Sequence, residues 1–212
     1  MPTCAAQAGA RVAGAAVRAA CVARLLLAAP AAVCIGSCPA TVAQAQAVGS
    51  IGPSFELTDH NGSAFSSVAL AGHPYAVFLG FTHCPDVCPT TLLEVSNVLQ
   101  RLGPDSDRLR IVFITVDPER DTPEQLRQYL SSFDRRIIGL TGTPEQIAAV
   151  TKGWNAFHNK IPEGDGTYTV VHSAYVYLMD RRNRLVGTMG FLDTESQQLE
   201  RLKRLLETGD NK

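Results

Sequence analysis

Cys84 and Cys88 stand as Cys-Pro-Asp-Val-Cys where an apolar run gives way to helical spacing. Pro85 presets φ for a first helical turn, which predicts Cys84 at the helix mouth and Cys88 in its first turn. Residues four apart share a helix face, and the free amides there favour thiolate over thiol. Two thiols so placed can close a disulfide, run thiol–disulfide exchange or clamp a soft ion such as Cu(I) or Zn. A stable metal site needs a third ligand, and two thiolates with one imidazole suit copper in both oxidation states. Of the five histidines, His172 is the leading candidate, because it follows Val170-Val171 and enters a second buried run. A core histidine bonded to its neighbours is the competing reading, and for a lone histidine the commoner one. His83 is expected beside the site or facing a partner, with its backbone directing it away from the sulfurs. His60, His73 and His158 are expected at the surface.

The elements that position the pair can be read in order. Phe55-Glu56-Leu57-Thr58 and Ala64-Phe65-Ser66 flank Asp59-His60-Asn61-Gly62, a tight hairpin signal. The runs 75–81 and 109–116 read as strands buried on both faces, and 137–140 as a shorter one. Between them, Leu92, Val95, Leu99 and Leu102 recur at helical spacing until Gly103-Pro104. Thr122-Pro123-Glu124-Gln125 and Thr143-Pro144-Glu145-Gln146 are start signals for two further helices. Leu126, Tyr129, Leu130 and Phe133 are the expected inner face of one; Ile147, Val150, Trp154 and Phe157 that of the other. The stretch 159–167 is polar and Gly-rich, which predicts a loop. Runs 174–179 and 185–189 read as a hairpin, and Thr194 with Gln197 opens a last helix carrying Leu199, Leu202 and Leu205. Strands alternating with helices imply parallel pairing, and the late hairpin adds antiparallel strands. The expected fold is α/β and thioredoxin-like: a central mixed sheet flanked by helices, with an added N-terminal β-hairpin. Such folds place their chemistry at the carboxyl end of a central strand, where Cys84 falls.

Composition bounds the compartment. The first 55 residues contain no Asp or Glu, and their only charges are Arg11, Arg18 and Arg24. A short apolar run from Leu25 to Ile35 follows, broken by Pro30 and Pro39, the layout of an export signal. It is shorter than the roughly 20 apolar residues of a spanning helix, so a retained anchor ranks second. Ala45-Gln46-Ala47 offers a cleavage site, and Ile35-Gly36-Ser37-Cys38 a bacterial lipobox that would tether the domain through Cys38. Residues 1–47 are therefore assigned to export or membrane tethering and 48–212 to one domain, exported to the periplasm or the outer side of the cytoplasmic membrane. Three arginines removed from 19 basic residues leave 16 against 20 acidic, a net charge of −4 that excludes a nucleic-acid partner. Of the six cysteines, Cys4, Cys21, Cys34 and Cys38 fall in the targeting segment. A domain of this length does not need one short disulfide as a staple, so a working pair is expected of Cys84 and Cys88.

Three segments carry a family resemblance. Gly80-Phe81-Thr82-His83-Cys84-Pro85-Asp86-Val87-Cys88-Pro89-Thr90-Thr91-Leu92, Val116-Asp117-Pro118-Glu119-Arg120-Asp121-Thr122-Pro123-Glu124, and His172-Ser173 with Tyr177-Leu178 resemble, in order, the motifs of the SCO/SenC family. The resemblance implies a thioredoxin-like metallochaperone that binds one copper ion, Cu(I) or Cu(II), through Cys84, Cys88 and His172. It further implies a role in assembling the copper centre of cytochrome c oxidase, with the copper-bearing subunit or another copper chaperone as partner. The alternative is a thiol–disulfide oxidoreductase using Cys84 and Cys88 as a redox pair on an exported or membrane partner. Against it stand the three-residue spacing and the lack of a proline between Glu163 and Met179, where thioredoxins face their cysteines with one. Two departures are visible: Val171 stands where many relatives carry an acid, and Phe81 where Tyr is common. Asp117 and Asp121 read as strand-end and helix-cap residues, Asp86 as a helix N-terminus stabiliser, and Trp154 as core.

Overall fold

The computed structural model describes residues 51–164, 166–190 and 192–208. The segment read as an export signal, its candidate cleavage and lipidation sites and Cys4, Cys21, Cys34 and Cys38 lie outside them. Seven strands form one mixed sheet in the order β2-β1-β5-β4-β3-β8-β9. They are β1 (Glu56–Asp59), β2 (Ala64–Ser66), β3 (Tyr75–Gly80), β4 (Arg110–Thr115), β5 (Ile137–Thr141), β8 (Val176–Met179) and β9 (Leu185–Met189). A separate two-stranded sheet pairs β6 (His158–Pro162) with β7 (Tyr168–His172). The helices are α1 (Val87–Leu102), α2 (Pro123–Leu130), α3 (Pro144–Gly153) and α4 (Glu195–Glu207).

The apolar runs become the sheet's centre. All six residues of β3 are buried, and β3 pairs parallel with β4 on one side and antiparallel with β8 on the other. β4 pairs parallel with β5, and the N-terminal hairpin joins the edge through antiparallel β1–β5 contacts. Each large aliphatic or aromatic side chain enclosed in this way stabilises the fold by about 1.5–3 kcal/mol before entropy is counted. The expected mixed sheet with an added hairpin is what forms. Thr122, Thr143 and Thr194 accept from the N3 amides of α2, α3 and α4, and at Thr143 and Thr194 the glutamine reciprocates in a full capping box. No helix among the described residues is long and apolar enough to cross a membrane.

Local details depart from the sequence reading. In the first hairpin only Gly62 takes positive φ (85°), and Asp59 Oδ1 accepts from the amides of Asn61 and Ser63 instead. Phe133 lies beyond the end of α2, and Phe157 beyond α3, where it is exposed. The stretch expected as a loop, 159–167, holds most of β6 and the turn into β7, and its polar residues hid the strand character of β6 because that strand lies largely in solvent. His60, His73 and His158 are half-buried rather than on the surface. His60 Nδ1 accepts from the Gly139 amide (3.0 Å), closing the β1–β5 edge.

Candidate metal centre

The sequence of α1 decides how its two cysteines differ. The helix begins at Val87 with Asp86 as its N-cap, so Cys84 and Pro85 belong to the turn before it. The expected shared helix face does not exist: Cys84 is held by its own turn, whose amide donates to the Phe81 carbonyl at 3.3 Å. Cys88 leads the apolar stripe Cys88, Leu92, Val95, Leu99 and Leu102, spaced four and three apart, and helical phase alone therefore buries it. Gly80, at the end of β3, leaves the room it needs, since a Cβ there would sit 3.0 Å from the Cys88 sulfur. Cys84 stays partly accessible, and both thiols are free. Asp86 makes no side-chain cap bond, so its contribution to the helix start is its charge.

His172 arrives from the other side. It is the last residue of β7, not a loop residue, and pairs across the hairpin with His158. Its Nε2 lies 3.7 Å from the Cys88 sulfur, and its Nδ1 lies 3.0 Å from the Ser173 carbonyl oxygen. A carbonyl only accepts, so Nδ1 is the donor toward Ser173, and Nε2 is the ring nitrogen that faces the sulfur. Two ligands at thiolate and imidazole bond lengths around a trigonal or tetrahedral ion stand about 3.6–3.8 Å apart, so this S···N spacing fits a shared metal. The ring also meets Phe81 edge-on, with centroids 5.7 Å apart.

The two thiols differ in acidity in opposite directions. The Cys88 thiol bonds to Cys84, which holds Cys84 well below the ordinary thiol value; His172 and the amides of Asp86 and Cys88 add to this against the opposing effect of burial. The same bond, followed by burial, pushes Cys88 far up. Among the described residues no group of three His, Cys, Asp or Glu side chains is arranged to hold a metal as it stands.

The segment between β4 and α2 touches both halves. Asp121, fully buried, accepts from the Thr82 amide (2.9 Å), the Thr82 hydroxyl (2.7 Å) and the Thr115 hydroxyl (2.6 Å), fixing the turn before Cys84. Asp117, equally buried, pairs with Arg120 and accepts from the Tyr168 hydroxyl at 2.8 Å. Both carboxylates are structural, as expected, but they anchor the site's two halves rather than end a strand and cap a helix. His83 is exposed and bonded to Thr82 (3.0 Å), aside from the sulfurs as expected. Trp154 is fully buried against Tyr177, as expected of a core residue. Sequence reading missed Arg120, Tyr168 and Thr82; an arginine between two aspartates that must be buried was the available signal. It also missed an open groove of about 490 Å³ that starts at His172 and runs past Phe157, Tyr175 and Leu192, all three exposed.

Sheet order and site together define a thioredoxin-like domain whose helix-mouth thiol pair is joined by an imidazole from a separate hairpin. The chain belongs to the SCO1/SenC family, whose model matches residues 43–207. It is 39% identical to an SCO2-like protein of Rickettsia prowazekii over 154 residues, 72% of this chain and 75% of that one. Copper-bound ScoI of Bradyrhizobium japonicum matches at 47% identity and TM-score 0.69, covering 74% of this chain and 99% of that one. Copper-bound yeast Sco1 matches at 32% identity and TM-score 0.69, over 75% and 90% of the two chains.

Proposed function

We propose that this protein binds one copper ion through Cys84, Cys88 and His172 and hands it on during assembly of the copper centre of cytochrome c oxidase. The observation that carries this reading is His172 Nε2 facing the Cys88 sulfur from 3.7 Å. The copper bound in the two related structures supports the choice of ion, and two soft sulfurs with one nitrogen are a donor set copper accepts in both oxidation states. The partner is the oxidase subunit that carries the copper centre, or another copper chaperone that loads this one. The domain works outside the cytoplasmic membrane, exported or tethered by its N-terminal segment, as the charge pattern of residues 1–47 suggests. Loading requires both thiols reduced and Cys88 deprotonated, so a Cys84–Cys88 disulfide is the state that carries no copper.

The test is the Cu(II) complex of the full chain. His172→Ala is expected to abolish the thiolate-to-copper charge-transfer absorption of the wild type and to lower Cu(II) affinity by a hundredfold or more. An unchanged spectrum in that variant removes His172 from the site.

A second reading has its own observation. One sulfur, Cys84, is partly accessible while Cys88 is fully buried, the division between an attacking and a resolving thiol. On this reading the reduced protein exchanges with a disulfide on its partner. Catalytic turnover of a disulfide substrate by copper-free protein, persisting in His172→Ala, selects it over copper transfer.

A further inference from the structure

We infer that Arg120 is a positioning residue of the copper site, the latch that sets the β6–β7 hairpin, and with it His172, over Cys88. The inference rests on the ligand reading above but concerns a residue that touches no ligand directly. His172 belongs to a two-stranded sheet that shares no strand with the main one. An isolated hairpin is marginal in water, so something else must fix its placement.

Arg120 makes the connection four ways. Its Nη1 donates to the Tyr168 carbonyl on β7 at 2.9 Å. Its guanidinium lies over the Tyr168 ring at 3.9 Å, and Lys160 of β6 lies over the same ring at 4.6 Å. Its Nε pairs with buried Asp117, which in turn accepts from the Tyr168 hydroxyl at 2.8 Å. The same guanidinium carbon is 5.9 Å from the centroid of Phe81, the residue that packs edge-on against His172 and whose carbonyl holds the Cys84 turn. Arg120 thus sits between the start of β7, four residues before His172, and the aromatic ring that meets His172 from the cysteine side. A planar fork that stacks and donates at once is what only arginine supplies. Its Nη2 is buried with no hydrogen-bond partner. A group chosen for hydrogen bonding alone would not be left so, whereas one wedged between two rings can be.

The experiment compares Arg120→Ala and Arg120→Lys with Arg136→Ala, a control that removes another partly buried arginine–aspartate pair remote from the site. Two readouts are taken. In copper-free protein, NMR follows the through-space contact between the His172 and Phe81 rings; in Cu(II)-loaded protein, absorption and nitrogen hyperfine structure follow the imidazole ligand. Arg120→Ala is expected to lose the ring contact and to lower copper affinity about 10–100-fold, the range for groups that orient a ligand. Arg120→Lys should do the same to a smaller degree, keeping the charge toward Asp117 but not the fork, and it serves where Arg120→Ala fails to fold. Arg136→Ala should lower stability with both readouts intact. Retention of the ring contact and the copper spectrum in the Arg120 variants overturns the inference, as does an equal loss of both in Arg136→Ala. Should no variant or wild type bind copper, the copper reading fails while the ring contact in copper-free protein still decides the role of Arg120.

Discussion

The cysteine half and the histidine half of the site are built by different physics. Cys88 is the first residue of an apolar helix stripe and packs beneath the last residue of the fully buried central strand. Its position follows from the same burial that folds the domain. His172 stands at the end of a hairpin whose residues are mostly exposed, and whose ties to the rest of the protein are polar and aromatic contacts and the single buried side chain of Val170. One half is therefore as stable as the core. The other can shift at modest cost, as the proposed release of an ion requires. The segment from Asp117 to Asp121 couples the two, Asp121 gripping the cysteine turn and Asp117 with Arg120 gripping the hairpin.

Breaking the firm half should cost the most. Asp121→Asn keeps the shape but removes the charge that draws in two hydroxyls and an amide. A loss of about 3 kcal/mol is expected for charged, buried hydrogen bonds, read by denaturant unfolding. The transition should stay cooperative, because the turn before Cys84 is part of the core. A loss below about 0.5 kcal/mol would mean that this half is not held by Asp121.

Gly80→Ala probes the same half from beneath. The added methyl would lie 2.6 Å from a Phe113 ring carbon and 3.0 Å from the Cys88 sulfur, so both must move. Overpacking of this kind costs about 1–3 kcal/mol. Because one of the two neighbours is a proposed ligand, copper affinity should fall as well, with the His172–Phe81 contact unchanged. An unaltered copper affinity would show that the sulfur has slack the structure does not suggest.

The same contrast explains what the sequence made legible. The apolar runs, the three Thr-capped helix starts and the Cys88 stripe are periodic and buried, so local pattern and tertiary structure agree. The pair Cys84 and Cys88 was found for that reason. The β6–β7 hairpin was not: Ile161 is the lone apolar residue among Asn159, Lys160, Pro162 and Glu163, too little to mark a strand, and the pairing is closed by Glu163 and Thr167 across the turn. Position makes His172 the leading one of five histidines, but a core histidine is the commoner reading of such a residue, and the motif resemblance decides between the two. Arg120 was hidden for a different reason. Its neighbours in space, Phe81 and Tyr168, are 39 and 48 residues away, and no local spacing announces a cation between two rings.

The smallest effect is expected where the comparison is sharpest. Tyr168→Phe keeps the ring beneath Arg120 and removes only the hydroxyl that bonds Asp117. Tyr168 is partly open to solvent, so the global loss should be about 1 kcal/mol. Hydrogen exchange resolves what that number averages over. Amides of the hydrogen-bonded registers of the β6–β7 pairing, Asn159 with Val171 and Ile161 with Thr169, open by local unfolding and should exchange several-fold faster in the variant. Amides of β3 and β4, which exchange only through global unfolding, should quicken no more than the lost stability requires. If both sets instead quicken in proportion, the hairpin is part of the core's cooperative unit, and the two halves of the site do not differ in how firmly they are held.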